Sequence, residues 1–345
     1  MTRVLPTPIR PIPATTRSPD VAVGQPSGAP VRAVTFRIAT NEDLGACAAI
    51  WRTSINDYTN RLNLPEIPDD LAAVLRLYAH LHSTDPDGFV VAEQADGSGE
   101  PRVVAFVSAL RRGPLWYLSM LFVLPEMQGK GLGRALIERV LPAAGTASLA
   151  TCTDSVQPIS NALYASLGMT PRMPLLRLVG LPDRRHELQP LPDGIRAVPF
   201  DEIREGAADG LRASALDDEV DTLDRDVVGF AHRQDHDQVR REGRIGFLYV
   251  GGAGATVGYG YASEAGRVGP IAVRDAALLD PLVGHLVTTV APRGAFGIWL
   301  PGAAVTATTS LLRAGFRIDG FPVLLCWDQP LVDFSRYVPQ SPGLL

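Results

Sequence analysis

The chain of 345 residues holds only three cysteines, Cys47, Cys152 and Cys326. Three thiols so widely scattered exclude a disulfide framework and a cysteine metal site, and they fit a reducing cytoplasm. No run of about 18 apolar residues occurs, so no membrane-spanning helix is expected. The N-terminus lacks the apolar core of a signal peptide. Long basic blocks are missing as well, and a formal net charge of −5 gives no reason to expect a nucleic-acid partner. The expectation is a cytoplasmic protein with neither nucleic acid nor membrane as partner. What is present is 46% hydrophobic residues, enough for ordinary cores, and a length that favours two domains.

Glycine is concentrated where it matters, in Gln128-Gly129-Lys130-Gly131-Leu132-Gly133-Arg134. Ahead of it, Leu115 to Val123 reads as a buried strand closed by Pro125. Behind it, Leu132, Ala135, Leu136 and Val140 recur at helical spacing. A strand therefore ends in a glycine-rich turn that opens a helix. The first N–H groups of a helix have no partner inside it, and with the helix dipole they favour an anion, best a phosphate. Lys130 and Arg134 add positive charge at the rim. The Walker pattern fails because Gly131, not Ser or Thr, follows Lys130. The dinucleotide fingerprint fails because Arg134 or Leu136 stands at its third glycine.

The stretch Val123-x-Pro125-Glu126-x-Gln128-Gly129-Lys130-Gly131-Leu132-Gly133 resembles the acetyl-CoA loop of the GCN5-related N-acetyltransferases (GNAT). Gln128, Gly131 and Gly133 match that family's signature. Further on, Leu163-Tyr164 and Gly168 fit its second motif in register, while Gln157, Ser160 and Met169 replace the usual Asn, Ala and Phe. The predicted elements between 34 and 180 run β-α-α-β-β-β-α-β-α-β, which is the order of that family.

The expected organisation has five parts. Residues 1–33, rich in proline, form a flexible arm. Residues 34–180 form a GNAT domain, 181–193 a linker, 194–330 a second copy and 331–345 a tail. The fold class is α/β (α+β), with two tandem mixed, mostly antiparallel sheets flanked by helices. Asp96-Gly97-Ser98-Gly99 reads as a hairpin turn, and Ser54 to Pro68 as a loop. The second copy is inferred from landmarks at a nearly constant offset, Val123 with Val273 and Gly168 with Gly315. It is degenerate: Arg274-Asp275-Ala276 lacks the glycine pair, and Asp275 sets a carboxylate where a phosphate would sit. This half is expected not to bind coenzyme A.

The resemblance implies acetyl transfer from acetyl-CoA, as co-substrate, to a primary amine on a small molecule or peptide. It implies no metal, and it is compatible with a homodimer. Leu121, Phe122 and Val123 would pair with the pantetheine arm. Gln128, Gly129, Lys130, Gly131, Leu132, Gly133 and Arg134 would take the pyrophosphate, and Gln157 would touch the arm. Tyr164 would be the general acid that protonates the leaving thiolate. No base is evident. Tyr117 and Ser119 share a strand face suited to a water relay, and Asp57 and Tyr58 fall in the predicted acceptor loop. Glu126, His80 and His82 read as solvated. Asp235, His236 and Asp237 are consecutive on a helix and so do not face one ligand. The alternative reading is a non-catalytic acyl-CoA sensor or scaffold.

Overall fold

The computed structural model describes residues 34–95, 99–208 and 210–345. The proposed arm at 1–33 and the turn residues Asp96, Gly97 and Ser98 lie outside these. The first half runs β1 (Val34–Ile38), α1 (Leu44–Arg61), α2 (Ala72–Thr84), β2 (Phe89–Ala95), β3 (Pro101–Arg112), β4 (Leu115–Val123), α3 (Leu132–Val140), β5 (Ser148–Asp154), α4 (Pro158–Ala165) and β6 (Thr170–Gly180). The second half runs β7 (Arg196–Pro199), α5 (Phe200–Arg204), α6 (Ala213–Val227), α7 (Arg233–Arg241), β8 (Ile245–Val250), β9 (Thr256–Ala262), β10 (Arg267–Val273), α8 (Leu279–Thr289), β11 (Phe296–Pro301) and α9 (Val305–Ala314). Three strands follow, β12 (Arg317–Ile318), β13 (Val323–Trp327) and β14 (Tyr337–Val338).

The strands form one continuous, mostly antiparallel sheet in the order β1-β2-β3-β4-β5-β13-β6-β11-β10-β9-β8-β7, flanked by helices. Its centre is an exchange. β13, the second half's closing strand, lies between β5 and β6 and is antiparallel to both. β6, which closes the first half, lies against β11 of the second. The apolar faces of this sheet carry two packed cores. The larger includes Tyr78, Phe89, Phe106 and Tyr117, and the other includes Leu282, Leu286, Phe296 and Leu311.

Two segments differ from the sequence reading. Residues 54–61 are not loop but the last turns of α1. Asn, Asp and Thr are weak helix formers, so propensity undersells this stretch. Tertiary bonds hold it, Ser54 Oγ donating to the Val123 carbonyl (3.1 Å) and Asn56 Oδ1 accepting from the Ile67 amide (2.9 Å). The segment 331–345 is packed rather than trailing. Tyr337 and Val338 are buried, and so are Leu344 and Leu345 at the chain end. Leu344→Ala should cost about 2–5 kcal/mol, the usual loss for a buried leucine. A denaturant melt that shifts by less than about 1 kcal/mol would show that this end is not part of the core.

Candidate active site

β4 and β5 are parallel and paired only from Leu115–Ser148 to Leu118–Thr151. The Thr151 hydroxyl, donating to the Leu118 carbonyl (2.8 Å), is the last tie between them. At that point Ser119 is an extra residue against β3, where the register shifts between Ser108 and Ala109. Such a bulge bends its strand. β4 therefore leans away, and from Ser119 to Val123 its edge has no β5 partner among the described residues. The gap is a cleft of about 220 Å³.

Directly after β4 the chain turns through Gly129 (φ 74°) and Gly131 (φ 79°), both in the left-handed region that disfavours a Cβ. A Cβ added at either would meet nothing within 4 Å, so both face open space. The first i→i−4 bond of α3 runs from the Ala135 amide to the Gly131 carbonyl (3.0 Å). The amides from Gly129 to Arg134 come before it, as outward donors of a helix start. Gly133 packs against Leu121 and Leu163, each 3.6 Å from where its Cβ would be, and so ties the loop to the cleft. Leu132 is buried. The side chains around the loop are engaged elsewhere. Gln128 Nε2 donates to the Val123 carbonyl (3.0 Å), Lys130 Nζ to the Glu126 carbonyl (2.9 Å), and Arg134 Nη2 to Ser166 Oγ (2.8 Å). The backbone, not these side chains, is what the loop presents.

Tyr164 reaches the cleft from α4 and is 5% exposed. Burial pushes its phenol well above the ordinary value, and a Ser160 hydrogen bond opposes this weakly. The group is protonated at neutral pH and able to donate. Leu121, Phe122 and Gln157 line the same space. So do Tyr58 and Asp154, joined by a hydrogen bond from Tyr58 Oη to Asp154 Oδ2 (2.8 Å). Burial first, then Asp154, raises the Tyr58 phenol. Asp154 is a cleft carboxylate that the sequence reading does not single out. Its signal was position: it closes β5 beside the parting strands, one residue past the predicted end of that strand.

Other expectations change. Tyr117 and Ser119 do not share a free face. The Tyr117 hydroxyl bonds the Pro342 carbonyl, and Ser119 Oγ donates to the Gly343 carbonyl at 2.5 Å. Both clasp the C-terminal segment, which thereby walls the cleft. Asp57 is on α1 and pairs with Arg61 one turn on. His80 is not solvated but buried against Asp235 (Nε2–Oδ1 2.7 Å), and His82 Nε2 contacts the Ala39 carbonyl (3.0 Å).

The acetyltransferase (GNAT) family model matches residues 51–169, the stretch that contains β4, the glycine turn and Tyr164. Residues 51–169 are a GNAT domain. Among solved structures the chain is similar to a proposed acetyltransferase from Pyrococcus horikoshii, at 12% identity and TM-score 0.67 over 93% of this chain and 99% of that one. A GCN5-related N-acetyltransferase from Sphaerobacter thermophilus gives 19% and 0.54, over 90% and 100%. A tandem GNAT protein from the clavulanic acid biosynthesis pathway gives 17% and 0.50, over 86% and 99%. At these identities the likeness is one of fold, and it spans both halves. No curated protein sequence matches the chain significantly. The GNAT fold is an acyltransfer fold, and no helix among the described residues is long and apolar enough to cross a membrane.

Proposed function

We propose that the first half binds acetyl-CoA and transfers its acetyl group to the primary amine of a small molecule or peptide by direct attack. The observation that carries this is the parting of β4 and β5 with Tyr164 inside it and the glycine turn at its end. The pantetheine arm extends the sheet along Ser119–Val123 as an added strand. The amides of Gly129–Arg134 hold the pyrophosphate, and a β4 amide polarises the thioester carbonyl. The amine attacks the carbonyl carbon, the C–S bond breaks, and Tyr164 delivers its proton to the sulfur.

Asp154 gives the cleft its one carboxylate, fixed by Tyr58. It attracts a cationic amine and takes up the proton that the amine sheds. Asp154→Asn should raise the amine KM several-fold and leave the acetyl-CoA Kd unchanged. Equal loss of affinity for both substrates would assign Asp154 to the frame of the cleft instead.

The second half is assigned a scaffolding role. Its β10 and β11 also part after Val268–Ile298, but β14 enters the gap and pairs with β10 at Ile271 and Ala272. Asp275 Oδ1 accepts from the Ala277 amide (2.9 Å), so a carboxylate takes the place of a phosphate. Acetyl-CoA turnover with a panel of amines, read as free thiol, tests the whole reading. Tight CoA binding without turnover on any amine would favour a sensor.

A further inference from the structure

A second cluster, distant in sequence from the cleft motifs, joins α6, α7 and β9 to the first half. Asp224 (0% exposed), His232 (1%) and His236 (1%) offer one ligand atom each, all within 4.8 Å of one another. Asp224 Oδ2 is 2.9 Å from His236 Nε2 and 3.4 Å from His232 Nε2. Ligand atoms about 2.0 Å from a tetrahedral ion stand about 3.3 Å apart, and the two spacings to Asp224 bracket that value. His232 is the decisive residue. Both its ring nitrogens are buried and make no close hydrogen bond, and each faces a carboxylate across a gap, Nε2 that of Asp224 at 3.4 Å and Nδ1 that of Asp235 at 3.6 Å.

The surroundings complete a coordination pattern. Tyr261 Oη lies 3.1 Å from His236 Nδ1, so that nitrogen can carry the proton and leave Nε2 free to ligate. Tyr259 Oη donates to Asp224 Oδ1 at 2.6 Å, leaving Oδ2 free. Asp235 Oδ2 stands 3.6 Å from His232 Nδ1, in the place of the carboxylate that commonly orients a metal-bound histidine. Asp235 is itself held by Arg112 (Nε–Oδ2 2.7 Å) and His80 from the first half, and Arg112 also meets Asp85 at 2.7 Å.

We infer that Asp224, His232 and His236 form a buried structural site for a divalent transition-metal ion of the zinc class, braced across the two halves through Asp235. The sequence trio Asp235, His236 and Asp237 does not converge. Asp237 turns outward to Arg240, and it is the i,i+4 pair His232 and His236, with Asp224 from α6, that meets. The site is independent of the acetyl-transfer assignment and is tested without activity.

Tag-free protein is stripped with chelator and titrated with Zn²⁺ and Co²⁺. We expect about one ion per chain, the intense visible absorption of four-coordinate Co²⁺, and a melting temperature that falls on stripping and recovers with Zn²⁺. His232→Ala and His236→Ala should lose the ion, and His186→Ala, at an exposed histidine, should keep it. Should the ligand variants not fold, Tyr261→Phe retains all three ligands and should weaken affinity at least tenfold. Wild-type protein that gives no cobalt spectrum and no zinc-dependent melting shift overturns the site. So does unchanged binding in the Tyr261 and histidine variants.

Discussion

Tyr164→Phe is expected to lower kcat on the order of 10²-fold, the usual contribution of a positioned acid, with little change in acetyl-CoA affinity. The phenol is buried in the cleft and its proton is held by a raised pKa, and in the proposed mechanism it is the donor to the leaving thiolate. Phenylalanine keeps the ring and its packing and removes only the O–H. Steady-state kinetics with direct measurement of acetyl-CoA Kd separates the two effects. An unchanged kcat would remove Tyr164 from the chemistry and leave it a packing residue of α4.

Gly131→Val should have the second large effect, on binding rather than turnover. A side chain at φ 79° costs about 1–2 kcal/mol in strain. Its methyl groups would also project into the open space where a diphosphate would meet the loop amides. Calorimetry should show CoA binding weakened more than tenfold in a variant whose thermal melt remains cooperative. Retained affinity would mean that the phosphates bind elsewhere, and the proposed mode of catalysis would fail with it.

Much of this site could be read from local sequence because it depends on local backbone. Gly129 and Gly131 stand where positive φ is needed, and the strand before them and the helix after them follow from short-range periodicity. Tyr164 was found for the same reason, since its register on α4 is fixed by Leu163 and Gly168. What escaped was non-local. Tyr58 and Asp154 meet across 96 residues, and His80 meets Asp235 across 155. Nothing at either end of such a pair marks its partner. The length of α1 was misjudged because its last turns rely on contacts to β4 and to the Ile67 turn rather than on their own propensity. The C-terminal residues gave no periodic signal. Their role is set by two hydroxyls on β4 and by the open edge of β10.

The exchange of β6 and β13 ties the fates of the two halves together. After a duplication, a redundant module can usually be deleted without harm to its twin. Here the loss of either one would strip a central strand from the survivor and bare hydrogen-bonding edges at β5 or β11. If the second half is a degenerate copy, as proposed, it can drift at the turn after β10, where Asp275 accepts from the Ala277 amide, and still be indispensable as the other's missing plank. A gene fragment that ends at β6 would yield an unfinished sheet, prone to stick to its own kind.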